Sequence, residues 1–482
     1  MTIHVRVDGE RRIARSDNDR QALRGEIMAS EKTVDEGRQS GGAGYRTYVM
    51  VLLFLVYTFN FLDRQIISIL GEPIKNEFDL TDEQLGALGG FAFAFLYSTF
   101  GVPIAWLADR WSRTWIMAIS LTLWSAFTAV SGLVQNYTQL FLARMGVGIG
   151  EAGGVAPAYS IIADYFPPDQ RGRALAFYSL GIPVGSAFGV IAGALIASGA
   201  IGDGLDWRAA FIIVGVAGVI LAPIFRLTVK EPKRGVYDAP RPVSEGTKAP
   251  GLPTVLGFLS KKPSFWFLVL GASCSSMMGY GIFFWIPSFL ARSYGLGLVD
   301  RGWLFGGILF VGGCIGILMG GVLGDRLGKA KKSAYAKVPA FAFLLTFPFY
   351  VAAVLAPNIY IASVLFLVPT ALGLMWLGPV LSAFQHLVRP SMRATASSIF
   401  LLINNLLGIG VGVYVLGKLS TMLEPTFGEE SLRYSILLGS LLYIVAAILF
   451  FVAARTLERD WEKDPDTVPV PQAELPTEAE PS

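Results

Sequence analysis

Four charged residues stand inside otherwise apolar stretches of the chain. Asp63 and Arg64 are adjacent in "TFNFLDRQII", and Arg144 and Glu151 lie two helical turns apart in "LARMGVGIGE". A charge at the centre of a bilayer costs at least about 2.5 kcal/mol, so such ions need partners or a water-filled cavity. Consecutive helical residues point about 100° apart, so Asp63 and Arg64 pair poorly with each other and reach in different directions. Arg144 and Glu151 share one face about 10 Å long, on which Gly148 lets a neighbouring helix come close. Counting about 1.5 Å per residue from the outer helix ends puts Asp63 about 10 Å deep, Arg144 about 8 Å and Glu151 about 18 Å. The expected pairs are therefore Asp63 with Arg144 and Arg64 with Glu151. The chemistry they suit is proton exchange, because burial raises a carboxyl's proton affinity and a guanidinium lowers it, so a moving arginine switches an acid. The plain alternative is a static ionic staple between two helices.

The elements that position these groups must cross a membrane. Of 482 residues 53% are hydrophobic and 16% charged, with a mean hydropathy of +0.54, far from the composition of soluble domains. About twelve stretches reach the ~20 apolar residues that span a bilayer. They fall near 47–70, 84–108, 115–134, 139–163, 174–198, 209–229, 263–290, 302–324, 335–355, 359–384, 394–418 and 433–455. The expected organisation is a polar tail (1–46), a six-helix bundle (47–229), a Pro-rich basic connector (230–262), a second six-helix bundle (263–455) and a second tail (456–482). The first tail has no apolar core of a cleaved signal peptide, and both tails are expected to be disordered. Lys and Arg gather on the side of the tails and the connector, which predicts a multi-pass protein of the inner cell membrane with both termini cytoplasmic.

Other chemistries are disfavoured. A formal charge of +3 suggests no nucleic-acid partner, and Cys274, Cys314, His4 and His386 are too scattered for a metal cluster, so no metal or cofactor is expected. "GIGEAG" (148–153) has the dinucleotide spacing without the preceding strand, and "GVYVLGKL" (412–419) lacks the Ser or Thr of a phosphate loop.

The two halves echo each other. "AWLADRWSRT" (105–114) follows the second span and "GVLGDRLGKA" (321–330) follows the eighth. This Asp-Arg motif, repeated within twelve spans split six and six, resembles the major facilitator superfamily of transporters, with Ala105 and Ser112 departing from its usual glycines. "FNFLDRQ", "ARMGVGIGEAGGVAPAYSIIADYFPPDQRGRALAFY" and "GIPVGSAFGVIAG" resemble its spinster branch, almost continuously from Arg144 to Gly193. The resemblance implies an all-α fold of two pseudo-symmetric six-helix bundles, alternating access, proton coupling through Asp63, Arg64, Arg144 and Glu151, and a lysophospholipid or sphingoid-type substrate. It also implies a cytoplasmic gate at Asp109, Arg110, Arg113, Asp325, Arg326 and Lys329, whose basic members a plain positive-inside anchor would also explain.

The matching spans of the second half carry no such charges. Tyr280, Phe284, Trp376 and Asn404 are the candidates there for lining a pocket that takes an amphiphile, unless these aromatics merely pack. Gly181, Gly185, Gly189 and Gly193 form a stripe that permits close helix approach. The expected function is a monomeric, proton-coupled secondary transporter whose partners are protons, an amphiphilic substrate and the lipid bilayer. Its rivals are an intramembrane acid/base enzyme using Asp63 and Glu151, a proton-linked carrier of a small organic anion or drug, and a non-transporting sensor. No nucleophile is paired with a base, which argues against an enzyme.

Overall fold

The computed structural model describes residues 3–7, 10–14, 42–237, 252–388 and 392–462. In the first tail, where no order is expected, β1 (Ile3–Val7) and β2 (Glu10–Ala14) pair antiparallel, Ile3 opposite Ala14. The sequence between them is Asp-Gly, a dipeptide favoured in two-residue hairpin turns. The second tail, expected from 456, begins inside a helix that runs to Asp460, and its residues beyond 462 lie outside the described residues.

The first bundle runs through α1 (Ala43–Ile69), α2 (Gly71–Phe78), α3 (Asp82–Gly86), α4 (Ala92–Ala108), α5 (Arg113–Ser131), α6 (Tyr137–Glu151), α7 (Val155–Tyr165), α8 (Pro168–Ser179), α9 (Gly181–Ala197) and α10 (Trp207–Thr228). α11 (Leu252–Leu259) lies in the connector. The second bundle runs through α12 (Pro263–Tyr294), α13 (Leu298–Ala330), α14 (Ala334–Val354), α15 (Ile359–Leu374), α16 (Leu377–Leu387), α17 (Arg393–Asn405), α18 (Gly412–Phe427) and α19 (Ser431–Asp460). Asn136 and Asn358 cap α6 and α15 in the same way, each side chain accepting a backbone N–H three residues on, as duplicated halves should.

Among the described residues ten helical runs are long and apolar enough to cross a membrane. Two features separate this number from the expected twelve. The run Thr395–Asp460 contains α18 and α19, which reverse at Gly428 and pack on each other. The fourth expected span is interrupted after Glu151, so α6 and α7 are each too short alone.

The stripe of glycines on α9 is a packing device. A Cβ on Gly185 would stand 2.2 Å from the Thr58 carbonyl oxygen and one on Gly189 2.5 Å from that of Leu62. No side chain fits, so α9 presses its backbone onto the part of α1 that carries Asp63.

Two π-helical turns join α3 to α4 (Ala87–Phe91) and α17 to α18 (Leu406–Val411), and they meet where a Cβ on Gly90 would lie 2.8 Å from the Gly410 carbonyl. Core packing is lopsided. One cluster fuses the second bundle with the first bundle's end away from the connector, through residues such as Leu62, Ile67, Leu85, Val190 and Phe284. A second cluster, including Val49, Met117, Tyr165 and Phe225, belongs almost wholly to the connector end of the first bundle. The two halves are thus cemented at one end and separately cored at the other.

Candidate functional site

α1 and α6 bring the four charges together, and of the two expected pairs Arg64–Glu151 forms while Asp63–Arg144 does not. Arg64 Nε donates to Glu151 Oε2 at 2.6 Å, and Glu151 is fully buried. The Arg64 guanidinium also lies over the rings of Phe61, Phe93 and Tyr97, at 5.1, 4.8 and 4.7 Å from their centroids. Cation–π contacts of this kind strengthen when the cation is desolvated. Asp63 does not pair with Arg144. Its Oδ2 accepts from Thr128 Oγ1 at 2.6 Å, while Oδ1 is buried without a hydrogen-bond partner among the described residues. Depth counting matched the heights of Asp63 and Arg144 but ignored α5, which supplies the nearer group.

Arg144 is buried against Phe93, with Nε and Nη1 unpaired. Glu151 Oε1 and both side-chain polar atoms of Asn60 are unpaired as well. Orphaned buried polar atoms are rare in folded proteins, and a cluster of them with both charge signs offers ready contacts to a proton or a polar head group.

Gly148 makes this geometry possible, since a Cβ there would lie 2.4 Å from the Phe93 carbonyl; α4 and α6 touch backbone to backbone. The interruption after Glu151 leaves the acid at the end of a helix.

From the second bundle, Tyr280 packs against both core clusters and lies close enough to Arg64 and Glu151 to feel their charges. The other pocket candidates sit differently. Phe284 is buried against Gly89, where its ring occupies the place a Cβ would take. Trp376 is buried within the second bundle, and Asn404 accepts from Ser276 Oγ at 3.0 Å. These three pack or bridge helices.

The cemented end holds a polar latch that sequence reading missed. Arg292, at the end of α12, donates to Glu72 Oε1 at 2.7 Å and to Asp82 Oδ2 at 2.6 Å, joining the bundles. Lys75 and Ser420 also reach Asp82, each at 2.6 Å, and Tyr414 donates to Glu83. In the sequence these residues read as loop charges, and Arg292 stands 220 positions from Glu72 and 210 from Asp82. Within the "FNFLDRQ" motif, Gln65 Nε2 donates to the Phe283 carbonyl at 3.3 Å, a further bridge between halves.

The gate candidates at the connector end bond within the first bundle and the connector. Arg113 is buried, paired with Asp164 and, at 2.7 Å, with Glu231 Oε1. Burial alone would raise the Glu231 carboxyl, but hydrogen bonds from the Thr114 N–H, Arg113 and Ser112 outweigh it and hold the acid below its ordinary range. Arg234 donates to the carbonyls of Ala108, Asp109 and Trp111, each at 2.7 Å, a cation placed where a helix C-terminus favours one. The Asp109 side chain is exposed and Arg110 folds back on Trp106. Among the described residues none of these bonds to the second bundle. Arg326 is exposed, and the side chains of Asp325 and Lys329 lie outside the described residues.

A family model described as Major Facilitator Superfamily matches residues 53–413. The chain belongs to that superfamily. It is 35% identical over 438 residues to an MFS-type efflux pump of Mycolicibacterium smegmatis, covering 90% of this chain and 99% of that protein. Protein spinster homolog 1 of Xenopus tropicalis is 28% identical over 468 residues, covering 90% of this chain and 86% of its own. The crystal structure of a bacterial homolog to the human lysosomal transporter spinster, inward-facing and unoccupied, superposes with a TM-score of 0.77 at 31% identity, over 88% of this chain and all of that one. This spinster-like major facilitator is therefore a membrane transporter.

Proposed function

We propose that this spinster-like transporter is a proton-coupled secondary carrier of an amphiphilic lipid, of the lysophospholipid or sphingoid type, and not an enzyme. It would work as a monomer in the inner cell membrane with both termini in the cytoplasm. The observation that carries the reading is the 2.6 Å Arg64–Glu151 pair, set beside unpaired oxygens of Asp63 and Glu151 and an unpaired Arg144 guanidinium. A proton placed on Glu151 cancels its attraction for Arg64, and the Phe93 and Tyr97 faces keep the freed cation in the site. Arg144 and the released Arg64 then meet an anionic head group, while Tyr280 and the uncharged second bundle accept the apolar tail. Loss of the proton restores the pair and expels the head group. Rocking of the bundles about this site would alternate access, Arg292 closing the outer side.

The test is uptake of labelled lysophospholipid and sphingosine into proteoliposomes under an imposed pH gradient. Glu151→Gln and Asp63→Asn should each abolish gradient-driven accumulation; wild-type accumulation by both variants would sink the coupling role. A second reading, efflux of a drug-like organic ion, is favoured by the 35% identity to a protein described as an efflux pump. Mass spectrometry of co-purifying lipids, set against efflux of a fluorescent dye, separates the two.

A further inference from the structure

On the wall of the first bundle that faces the bilayer, α5 and α10 leave a slot of ≈ 390 Å³. α5 buries Trp124 and Thr128, the latter bonded to Asp63, and turns Trp115, Ile119 and Leu123 outward. Small Ala118 and Ala222 make the floor, and Ile119, Leu123 and Leu227 make apolar walls open to hydrocarbon. Over the connector end of the slot stands Arg226, in the last turn of α10, its guanidinium 4.2 Å from the Trp115 ring centroid. Its Nε is buried without a hydrogen-bond partner, and among the described residues Arg226 forms no hydrogen bond or ion pair. The nearby acid Glu231 is already held by Arg113.

We infer that this slot binds a bilayer phospholipid with an anionic head group, its acyl chain along the Ala118–Ala222 floor and its phosphate on Arg226. An arginine at the hydrocarbon edge without a protein anion is complemented by lipid phosphate, with the Trp115 ring marking the interfacial level. The site lies on the opposite face of α5 from the transport charges and is independent of what the protein carries.

The purified, delipidated full chain is offered phosphatidylglycerol or phosphatidylcholine with matched acyl chains, and retained lipid is counted by native mass spectrometry. Wild type should retain phosphatidylglycerol preferentially. Arg226→Gln should lower that preference about fivefold, the weight of one interfacial cation. Arg226→Lys should keep most of it. Thr122 also lines the slot, and Thr122→Phe, which fills it and leaves the cation, should lower retention of both lipids. A preference unchanged in Arg226→Gln, or retention unchanged in Thr122→Phe, overturns the site. Melting curves establish that each variant is folded, and transport is not part of the readout.

Discussion

The hydroxyl of Thr128 has one proton and two acceptors in reach, Asp63 Oδ2 at 2.6 Å and the Trp124 carbonyl at 3.0 Å. When Asp63 is ionised the proton points to the carboxylate. When Asp63 is protonated the acid becomes the donor, and Thr128 turns its own proton to the carbonyl. One small side chain therefore satisfies both states of the acid. Thr128→Val should leave an ionised Asp63 without a partner and cost about 1–3 kcal/mol of stability, read by thermal unfolding. Combined with Asp63→Asn the two effects should not add in a double-mutant cycle; additivity would show that the contact is idle. The sequence discloses Asp63 because a carboxylate is conspicuous among apolar residues. It does not disclose Thr128, since a threonine in a helix ordinarily bonds its own preceding turn. The Arg64–Glu151 pair was legible because its geometry needs just two helices, whereas the partner of Asp63 comes from a third.

Between α1 and α9 the contact is backbone on backbone, so shape matters there more than hydrophobicity. Gly189→Val would force its Cβ into the Leu62 carbonyl, which is backbone and cannot rotate away. It should sharply reduce the yield of folded protein, seen by size-exclusion profile, while substitution at open Gly101 should not. The four-residue glycine period was readable in sequence; its target, the stretch of α1 holding the charges, was not. At the connector end, Glu231 ties the start of α5 to the chain leaving α10. A carboxyl held low contributes stability that is complete above the ordinary glutamate range and lost as pH falls through its lowered value. The melting temperature should therefore fall as pH drops below about 4, and Glu231→Gln should flatten that decline. An identical acid-side slope in both proteins would assign the loss to other groups. The interruption after Glu151 left no clear sequence mark, since glycines crowd the whole stretch from 146 to 154.

Across the whole molecule, the two bundles are joined at one end by charge and a shared apolar core, while at the other end the first bundle keeps a core of its own. Removing Arg292 strands Glu72 in a partly buried interface, leaves Asp82 to Lys75 and Ser420 alone, and raises the energy of this closed end. Arg292→Ala should shift the equilibrium towards opening there by about tenfold or more, measured as labelling of a cysteine introduced beneath the latch. Unchanged labelling would mean that the apolar contacts alone keep the end shut. The division into halves was plain from the repeated Asp-Arg motif, but which end is closed depends on pairings between residues far apart in the chain. The four charges of the candidate site all belong to one bundle, and the other brings Tyr280 beside them with hydroxyls and apolar surface. An inheritance split this way lets the two duties diverge separately. If the proposed division holds, descendants of such a chain could trade one apolar tail for another by changing the second bundle alone, with the four charges left untouched, and a chimera carrying a relative's second bundle would take on that relative's preference for the tail.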